Sequence, residues 1–186
     1  MSNKTGIVLY NPQSSAGRKP VLPMSLLAVG AILEGEYDYV IVDGNLEPDP
    51  LAALSRALRA AGPRPVLAMT VMPGPQLQQS VALCQGLRDN HDDLIIIWGG
   101  YFPTQHWDVC LRSDLVDYVV RGHGEFVFRQ LMETLHQNGD VNPEPAVLES
   151  IAGLAYRDES GRPVSGAMAP IPHPKNLPAW NYERVE

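Results

Sequence analysis

Three short segments of the chain combine glycine with small or polar residues, and this composition suits the binding of a large ligand. They are Thr70 to Gly74, Gly99 to Tyr101 and Arg121 to Glu125. Glycine has no β-carbon, so the backbone amides of such segments can approach a bulky group closely and donate hydrogen bonds to it. The segments therefore indicate recognition of a cofactor. We single out no residue as catalytic and none as a metal ligand.

The histidines and cysteines form no catalytic or metal-binding pattern in the sequence. No two histidines have the i, i+4 spacing of a helical metal site, and Cys84 and Cys110 are too far apart to indicate a thiolate site or a disulfide framework. We expect both cysteines to be plain buried or partly buried thiols. His106 and His123 lie near the glycine segments, and we favour His123 for ligand contact because glycines flank it.

Short apolar, β-branched runs alternate with helical patterns through most of the chain. The runs are Gly6 to Tyr10, Tyr39 to Asp43, Val66 to Val71, Leu94 to Trp98 and Asp117 to Val120. The helical patterns are Met24 to Leu33, Pro50 to Ala61, Pro75 to Asn90 and Glu125 to Asn138. This alternation predicts an α/β fold, with a doubly wound five-stranded parallel sheet in a flavodoxin-like, Rossmann-like three-layer sandwich. We expect the strand order 2-1-3-4-5.

This fold brings the candidate segments together at one edge of the sheet. Parallel strands all end at the same edge, and ligands bind outside those carboxyl ends. Asn11 follows the first predicted strand, and Asp43-Gly44-Asn45 closes the second. The three glycine-bearing segments follow the third, fourth and fifth strands. The sequence therefore predicts one ligand-binding edge built from all five strand ends.

The chain divides into three predicted regions. Residues 1–140 form the α/β domain. Residues 141–169 are a β-hairpin extension, because Gly153 to Arg157 and Arg162 to Val164 flank an Asp-Glu-Ser-Gly turn. Residues 170–186 are rich in proline and predict an extended linker, which leads us to expect a further domain beyond it.

Composition and charge argue against two classes of partner. The 186 residues carry a formal net charge of −7, and no predicted helix has a cluster of basic residues, so nucleic acid is a poor candidate partner. No apolar run approaches the roughly 20 residues that cross a bilayer, and Met1 to Thr5 does not resemble a signal peptide. We expect a cytoplasmic protein without a membrane partner.

Several phrases of the sequence resemble one family of cofactor-binding domains. Thr70-Val71-Met72 is followed, after residues 73–98, by Gly99-Gly100, and the phrases Trp98 to Thr104, Asp117 to Glu125 and Gly153 to Asp158 extend the likeness. In these motifs the chain resembles the amino-terminal cobalamin-binding domain of cobalamin-dependent radical S-adenosylmethionine enzymes, over almost its whole length. The resemblance implies that the cofactor is cobalamin.

The resemblance also implies where this corrinoid binds. Its nucleotide tail is expected to thread between the sheet and a helix, in a slot of small residues such as Thr70, Gly74, Gly99 and Gly100. Thr70 is expected to donate to the dimethylbenzimidazole base, or alternatively to cap the following helix, and the amides of Gly122 to Glu125 to bond the tail. The predicted corrinoid-binding residues are Asn11, Asp43, Gly44, Asn45, Thr70, Val71, Met72, Gly74, Gly99, Gly100, Tyr101, Phe102, Pro103, Gly122, His123, Gly124 and Glu125.

One departure from the wider cobalamin-binding pattern concerns the ligand below the cobalt. Where the mutase and methionine-synthase type carries a cobalt-ligating histidine, this sequence has Asp43-Gly44-Asn45, and Asn45 is no useful cobalt ligand. The resemblance then implies a base-off corrinoid without a histidine ligand. Met72 is the first candidate for the residue beneath the metal, and Val71 is the next. A weak lower ligand favours cobalt(I) and methyl transfer.

The Cys-x-x-x-Cys-x-x-Cys motif of the radical enzymes is absent from this sequence, and two cysteines cannot hold a [4Fe-4S] cluster. We expect S-adenosylmethionine and the cluster in a radical SAM barrel, either downstream in a longer polypeptide or in a separate chain. This chain is then the non-catalytic cofactor-binding part of a methyltransferase or of an enzyme with related radical chemistry. The substrate stays open.

Three alternative functions remain at this point. A free-standing corrinoid carrier would use the same edge of the sheet. A flavin-binding module would need a phosphate-binding turn after the first strand, whereas Asn11 to Gly17 lacks the G-x-G-x-x-G pattern. The last alternative is a protein-interaction module with the same fold and no cofactor.

Overall fold

One mixed sheet forms the centre of the molecule, in a computed structural model that describes residues 6–14, 17, 21–91, 93–138 and 143–185. Its strands are β1 Ile7–Asn11, β2 Tyr39–Asp43, β3 Val66–Thr70, β4 Ile95–Gly99, β5 Tyr118–Val120, β6 Leu154–Arg157 and β7 Pro163–Ser165. They run in the order β2-β1-β3-β4-β5-β6-β7. The first five are parallel and the last two antiparallel to their neighbours, which confirms the predicted order 2-1-3-4-5.

Helices connect the parallel strands and have recognisable sequence limits. They are α1 Met24–Leu33, α2 Pro50–Ala61, α3 Pro75–Arg88, α4 Tyr101–Gln105, α5 Trp107–Leu111, α6 Gly124–Asn138 and α7 Pro145–Glu149. The Asp49 side chain accepts a hydrogen bond from the Ala52 amide at the start of α2, where Pro50 needs no amide partner. Gly62 ends that helix with a φ of 92°.

The two faces of the sheet carry separate apolar cores, because side chains alternate along each strand. Ile7 and Leu9 pack with α1 and α6 on one face. Val8 and Tyr10 pack with α2 and α3 on the other. Burying one such side chain completely is worth about 1.5–3 kcal/mol. Burial on both faces explains why these strands appear in the sequence as continuous apolar runs.

The sheet has more strands than the five predicted, because the carboxyl-terminal hairpin joins its edge. Val119 on β5 pairs with Ala155 on β6, and the Arg121 amide donates to the Gly153 carbonyl oxygen over 2.8 Å. Helices α4, α5 and α7 were not predicted either. Each has only five residues, which is too short for an apolar repeat to show in the sequence.

The proline-rich segment after β7 packs against the domain. Arg184 forms an ion pair with Glu34 at the end of α1, at 2.7 Å, and its guanidinium lies 4.5 Å from the ring centre of Tyr39. Trp180 and Val185 pack against the core on the α1 and α6 face. The described part of this segment therefore follows the surface of the domain. Its role as a linker to a further domain stays a prediction.

Candidate functional site

A slot opens at the carboxyl edge of the sheet, on the face that α1 and α6 cover. Its volume is about 210 Å³. Its floor is a row of side chains, Leu9, Ala68 and Ile97, which the parallel register places side by side on β1, β3 and β4. The walls come from the two helices. The other lining residues are Ser25, Leu26, Val29, Met69, Thr70, Gly99, Gly100, Val120, Gly122, His123, Gly124, Glu125 and Phe128.

The polarity of the slot falls from its mouth to its floor. At the mouth, the Ser25 hydroxyl donates to the Thr70 hydroxyl over 3.4 Å, and Oε2 of Glu125 is buried without a hydrogen-bond partner. About one helical turn further in, the walls are Val29 and Phe128. A buried carboxylate oxygen without a partner is destabilising. A ligand with a hydroxyl or amide donor would supply the missing bond.

The two adjacent glycines at the end of β4 are present for different reasons. Gly100 has a φ of 95° and a ψ of −168°, a conformation that is essentially restricted to glycine, and an added β-carbon would lie 3.0 Å from the Thr70 hydroxyl oxygen. At Gly99 an added β-carbon would meet nothing closer than the Val120 carbonyl oxygen, at 3.6 Å. The fold therefore tolerates a side chain at Gly99, and that side chain would fill the slot.

A buried polar cluster lies beside the slot, where β1 and β2 end. Asp43 Oδ1 accepts hydrogen bonds from the side chains of Asn11 at 2.9 Å and Asn45 at 2.8 Å. Gln76 on α3 accepts from the Met72 amide at 3.1 Å and donates to the Pro12 carbonyl at 2.8 Å. This cluster ties the loops after β1, β2 and β3 together.

Four of the predicted residues lie in or next to the loops after β3 and β4. Val71 and Pro103 are buried in the domain, whereas Met72 and Tyr101 are exposed to solvent. Val71 is fully buried, whereas 46% of Met72 is exposed to solvent. Tyr101 is 61% exposed, and Pro103 is buried at the start of α4. Met72 and Tyr101 therefore present apolar surface at the carboxyl edge of the sheet, outside the slot.

The remaining predicted residues outside the slot contribute to the local fold. A β-carbon at Gly44 would lie 2.3 Å from the Tyr10 hydroxyl, so the tight packing there needs glycine. Gly74 has a φ of 93° at the start of α3, in open space. Phe102 is partly buried against the core of the opposite face and contacts the His106 ring.

The structure brings one group of the predicted residues together in the slot. This group consists of Thr70, Gly99, Gly100, Gly122, His123, Gly124 and Glu125. Asn11, Asp43 and Asn45 instead belong to the neighbouring polar cluster, and Asn45 is only 3% exposed. Sequence reasoning missed the rest of the helical walls, which are Ser25, Leu26 and Val29 on α1 and Phe128 on α6. The spacing of Ser25 and Val29 by four residues, and of Glu125 and Phe128 by three, is the signal that places each pair on one helix face.

Burial controls the ionisable groups near the two cores. Desolvation raises the pKa of the Cys84 thiol to about 12 and that of Cys110 to about 11. Both free thiols are thus protonated at neutral pH and are poor nucleophiles and metal ligands. Burial, assisted by the charges of Asp43 and Glu47, also raises the pKa of Tyr10. Its hydroxyl donates to Gln79 over 3.0 Å.

Neither a metal-binding cluster of histidine, cysteine and acidic side chains nor a membrane-spanning helix occurs among the described residues. No group of three histidine, cysteine or acidic side chains within the described ranges could hold a metal ion. The helices of the described segments are also too short or too polar for any of them to cross a bilayer.

The chain is thus a flavodoxin-like domain with a slot at the carboxyl edge of its sheet. The chain belongs to the B12-binding domain family, whose sequence model matches residues 18–132. This match confirms the predicted resemblance to cobalamin-binding domains. Cobalamin is the cofactor of this family.

Two curated relatives extend the comparison. The chain is 27% identical over 159 residues to the anaerobic magnesium-protoporphyrin IX monomethyl ester cyclase of Synechocystis, and the match covers 81% of the chain and 30% of that relative. It is 23% identical to an uncharacterized methyltransferase of Pyrococcus horikoshii, with 95% of the chain and 40% of the relative covered. The chain thus spans less than half of the length of either relative.

Solved structures share the fold at lower identity. The cobalamin-dependent S-adenosylmethionine radical enzyme OxsB, with aqua-cobalamin and S-adenosylmethionine bound, has a TM-score of 0.73 and 17% identity, covering 90% of this chain and 22% of OxsB. The radical S-adenosylmethionine methyltransferase TsrM of Kitasatospora setae, with cobalamin and a [4Fe-4S] cluster bound, has a TM-score of 0.72 and 19% identity. That match covers 95% of this chain and 31% of TsrM.

Proposed function

We propose that this chain binds cobalamin with the nucleotide tail in the slot and the corrin ring over the carboxyl edge of the sheet. The observation that carries the proposal is Gly99, where the fold has room for a β-carbon but the slot would be filled by a side chain. The unpartnered Glu125 oxygen in the same slot adds support, because a ligand donor would satisfy it. Bound cobalamin supplies a cobalt centre that can carry a methyl group.

We propose that the corrinoid is held base-off and without a histidine ligand. Asn45, at the position of the ligating histidine in other cobalamin-binding domains, accepts from the Ser14 amide at 3.0 Å and donates to Asp43. Its side chain is therefore already satisfied within the polar cluster. Met72 is the better candidate for the position beneath the cobalt, since Val71 is buried in the core and Met72 is exposed.

We further propose that the domain serves a radical S-adenosylmethionine methyltransferase or a related radical enzyme in the cytoplasm. The two buried thiols cannot provide the ligands of a [4Fe-4S] cluster, so the cluster and S-adenosylmethionine would belong to a barrel domain in cis or in trans. The chain's own residues would bind and orient the corrinoid. The alternative of a free-standing corrinoid carrier uses the same slot and differs only in the absence of the barrel.

The test is direct retention of the cofactor. The purified chain is mixed with hydroxocobalamin, desalted and examined by absorption spectroscopy, with flavin mononucleotide as the parallel ligand. We expect a coloured protein that retains corrinoid in about equimolar amount and no flavin. A folded but colourless product contradicts cobalamin binding, and retention of flavin instead supports the flavin-binding alternative.

A further inference from the structure

We propose that the slot also selects the base at the end of the tail, accepting dimethylbenzimidazole and rejecting a purine. This inference rests on the proposed function, in which the tail of a corrinoid enters the slot. Lower bases differ in their polar atoms. A displaced dimethylbenzimidazole presents one free ring nitrogen and methyl groups, whereas adenine presents several acceptor nitrogens and an amine donor. The polar groups of the slot can therefore distinguish the two.

The hydroxyl groups of Ser25 and Thr70 lie together at the mouth of the slot, and we call them the hydroxyl pair. They suit a base that has one hydrogen-bond acceptor. Ser25 lies in the first turn of α1 and Thr70 is the last residue of β3. The Ser25 hydroxyl donates to the Thr70 oxygen over 3.4 Å, which leaves the Thr70 proton free to donate to a ligand. Thr70 is also the register partner of Gly99, so this donor faces the open position in the slot. The hydroxyl pair can therefore donate one hydrogen bond to a ligand.

Beyond the hydroxyl pair, the described residues that form the floor offer no side-chain partner for a polar base. Leu9, Ala68 and Ile97 form the floor, with Leu26 and Phe128 beside them. The backbone groups at this depth belong to strands that pair with neighbours on both sides. An amine or a second ring nitrogen placed there would lose its bonds to water and gain none.

Glu125 lies too near the mouth of the slot to form a hydrogen bond with the polar atoms of a purine at the floor. It is in the first turn of α6, one turn closer to the carboxyl edge than Phe128. Side chains on a helix lean toward its amino-terminal end, so we infer that the unpartnered oxygen of Glu125 lies nearer to the segment from Gly122 to Gly124 than to the floor. We assign its missing hydrogen bond to a hydroxyl group of the ribose in the tail.

A comparison of three corrinoids tests this inference with the purified chain. Equilibrium dialysis measures the affinity for cobalamin, for its counterpart with an adenine base, and for cobinamide, which has no nucleotide. We expect the adenine form to bind at least about tenfold more weakly than cobalamin, because unpaired polar groups of the purine are buried. We expect cobinamide to bind more weakly than cobalamin as well.

The possible results separate the inference from the proposed function. If the adenine form and cobalamin bind with equal affinity, and both bind more tightly than cobinamide, the slot takes the tail but the proposed selection of the base is wrong. If cobinamide binds as tightly as cobalamin, the slot does not take the tail and the inference is overturned. If none of the three is retained, the proposed cobalamin binding fails and the inference with it.

A pair of serine variants tests the role of the hydroxyl pair. Ser25→Ala should weaken cobalamin binding several-fold, because Thr70 loses the neighbour that orients its hydroxyl proton toward the base. It should leave cobinamide binding unchanged, because cobinamide has no base to contact. Ser55→Ala, on α2 at the opposite face of the sheet, is the matched control and should change neither affinity. An equal loss for both corrinoids in Ser25→Ala would contradict a contact with the base.

Discussion

Asn45 donates a hydrogen bond from Nδ2 to Oδ1 of Asp43 over 2.8 Å, and its backbone amide donates to the same oxygen over 3.0 Å. The side chain that follows the second strand is thereby turned into a buried polar cluster. In cobalamin-binding domains with a protein ligand to cobalt, a histidine occupies this loop. Here the loop is stabilised by its own hydrogen bonds, so the polar cluster has a structural role beside the slot.

The first prediction concerns Asn45→Ala. The substitution removes one of the three hydrogen bonds that the Asp43 carboxylate oxygen accepts, and it removes the acceptor of the Ser14 amide. We therefore expect the free energy of unfolding to fall by about 1–3 kcal/mol, because a hydrogen bond to a charged group is lost. The absorption spectrum of bound cobalamin should not change. Denaturant unfolding and corrinoid titration measure the two effects. Asn90→Ala, at an exposed amide that bonds the Gly86 carbonyl, is the control. A changed cobalamin spectrum would contradict this separation of roles.

The second prediction contrasts the two glycines at the end of β4. Gly100→Ala should lower the free energy of unfolding by about 1–3 kcal/mol, because alanine is strained in the conformation that Gly100 adopts. Gly99→Val should leave a folded domain that no longer takes up corrinoid, since its side chain fills the slot. Thermal unfolding and retention of hydroxocobalamin distinguish the two variants. Corrinoid uptake by Gly99→Val at the parent level would show that the tail binds elsewhere.

The third prediction places a nitrogen ligand beneath the metal through Met72→His. Met72 is exposed, so the substitution should change the free energy of unfolding by no more than about 0.5 kcal/mol. In the electron paramagnetic resonance spectrum of bound cob(II)alamin we expect nitrogen splitting in the variant and none in the parent. The control is Val109→His, at an exposed position on α5. Nitrogen splitting in the parent would instead contradict the base-off proposal.

The fourth prediction concerns pH and the carboxyl-terminal segment. Hydrogen bonds from Arg184 and from the Tyr39 hydroxyl hold the pKa of Glu34 below its ordinary value. Such a group stabilises the fold above its ordinary pKa, and the contribution is lost as the pH falls through the lowered value. Because the pair is partly exposed, the effect should not exceed about 1 kcal/mol.

Hydrogen exchange of residues 177–185 measures this effect. We expect their protection to decrease as the pH falls below about 4.3, the ordinary glutamate value. In Glu34→Gln the protection should be low at every pH, because the ion pair with Arg184 is missing. Unchanged protection down to about pH 3 would show that apolar packing alone holds the segment.

The sequence predicted the parallel part of the sheet because that information is local. Runs such as Ile95 to Trp98 are apolar on both faces, and Pro50 and Pro75 mark the first turns of two helices. The glycines at the strand ends then followed from the rule that ligands bind at the carboxyl edge. For the same reason Thr70, Gly99 and His123 could be placed near one another from the sequence.

The parts that the sequence did not predict depend on contacts between distant residues. The antiparallel pairing of β6 with β5 is one case, since a hairpin pattern does not specify which strand it joins. Another is the ion pair of Arg184 with Glu34, which joins residues 150 positions apart. Ser25 was missed because a short polar side chain in a first helical turn is also typical of an ordinary solvent-facing position.

The carboxyl-terminal segment covers part of one edge strand of the sheet, β2. Outer strands with free amide and carbonyl groups are templates for pairing with other molecules, and proteins protect them with charges, prolines or short strands. At β2, Arg184 donates to the Tyr39 carbonyl over 3.4 Å. At the other border, β7 has three residues and begins with Pro163. One carbonyl group of β2 is thus occupied, and β7 is short and begins with a residue that has no amide proton, so each border offers fewer free groups to a foreign strand.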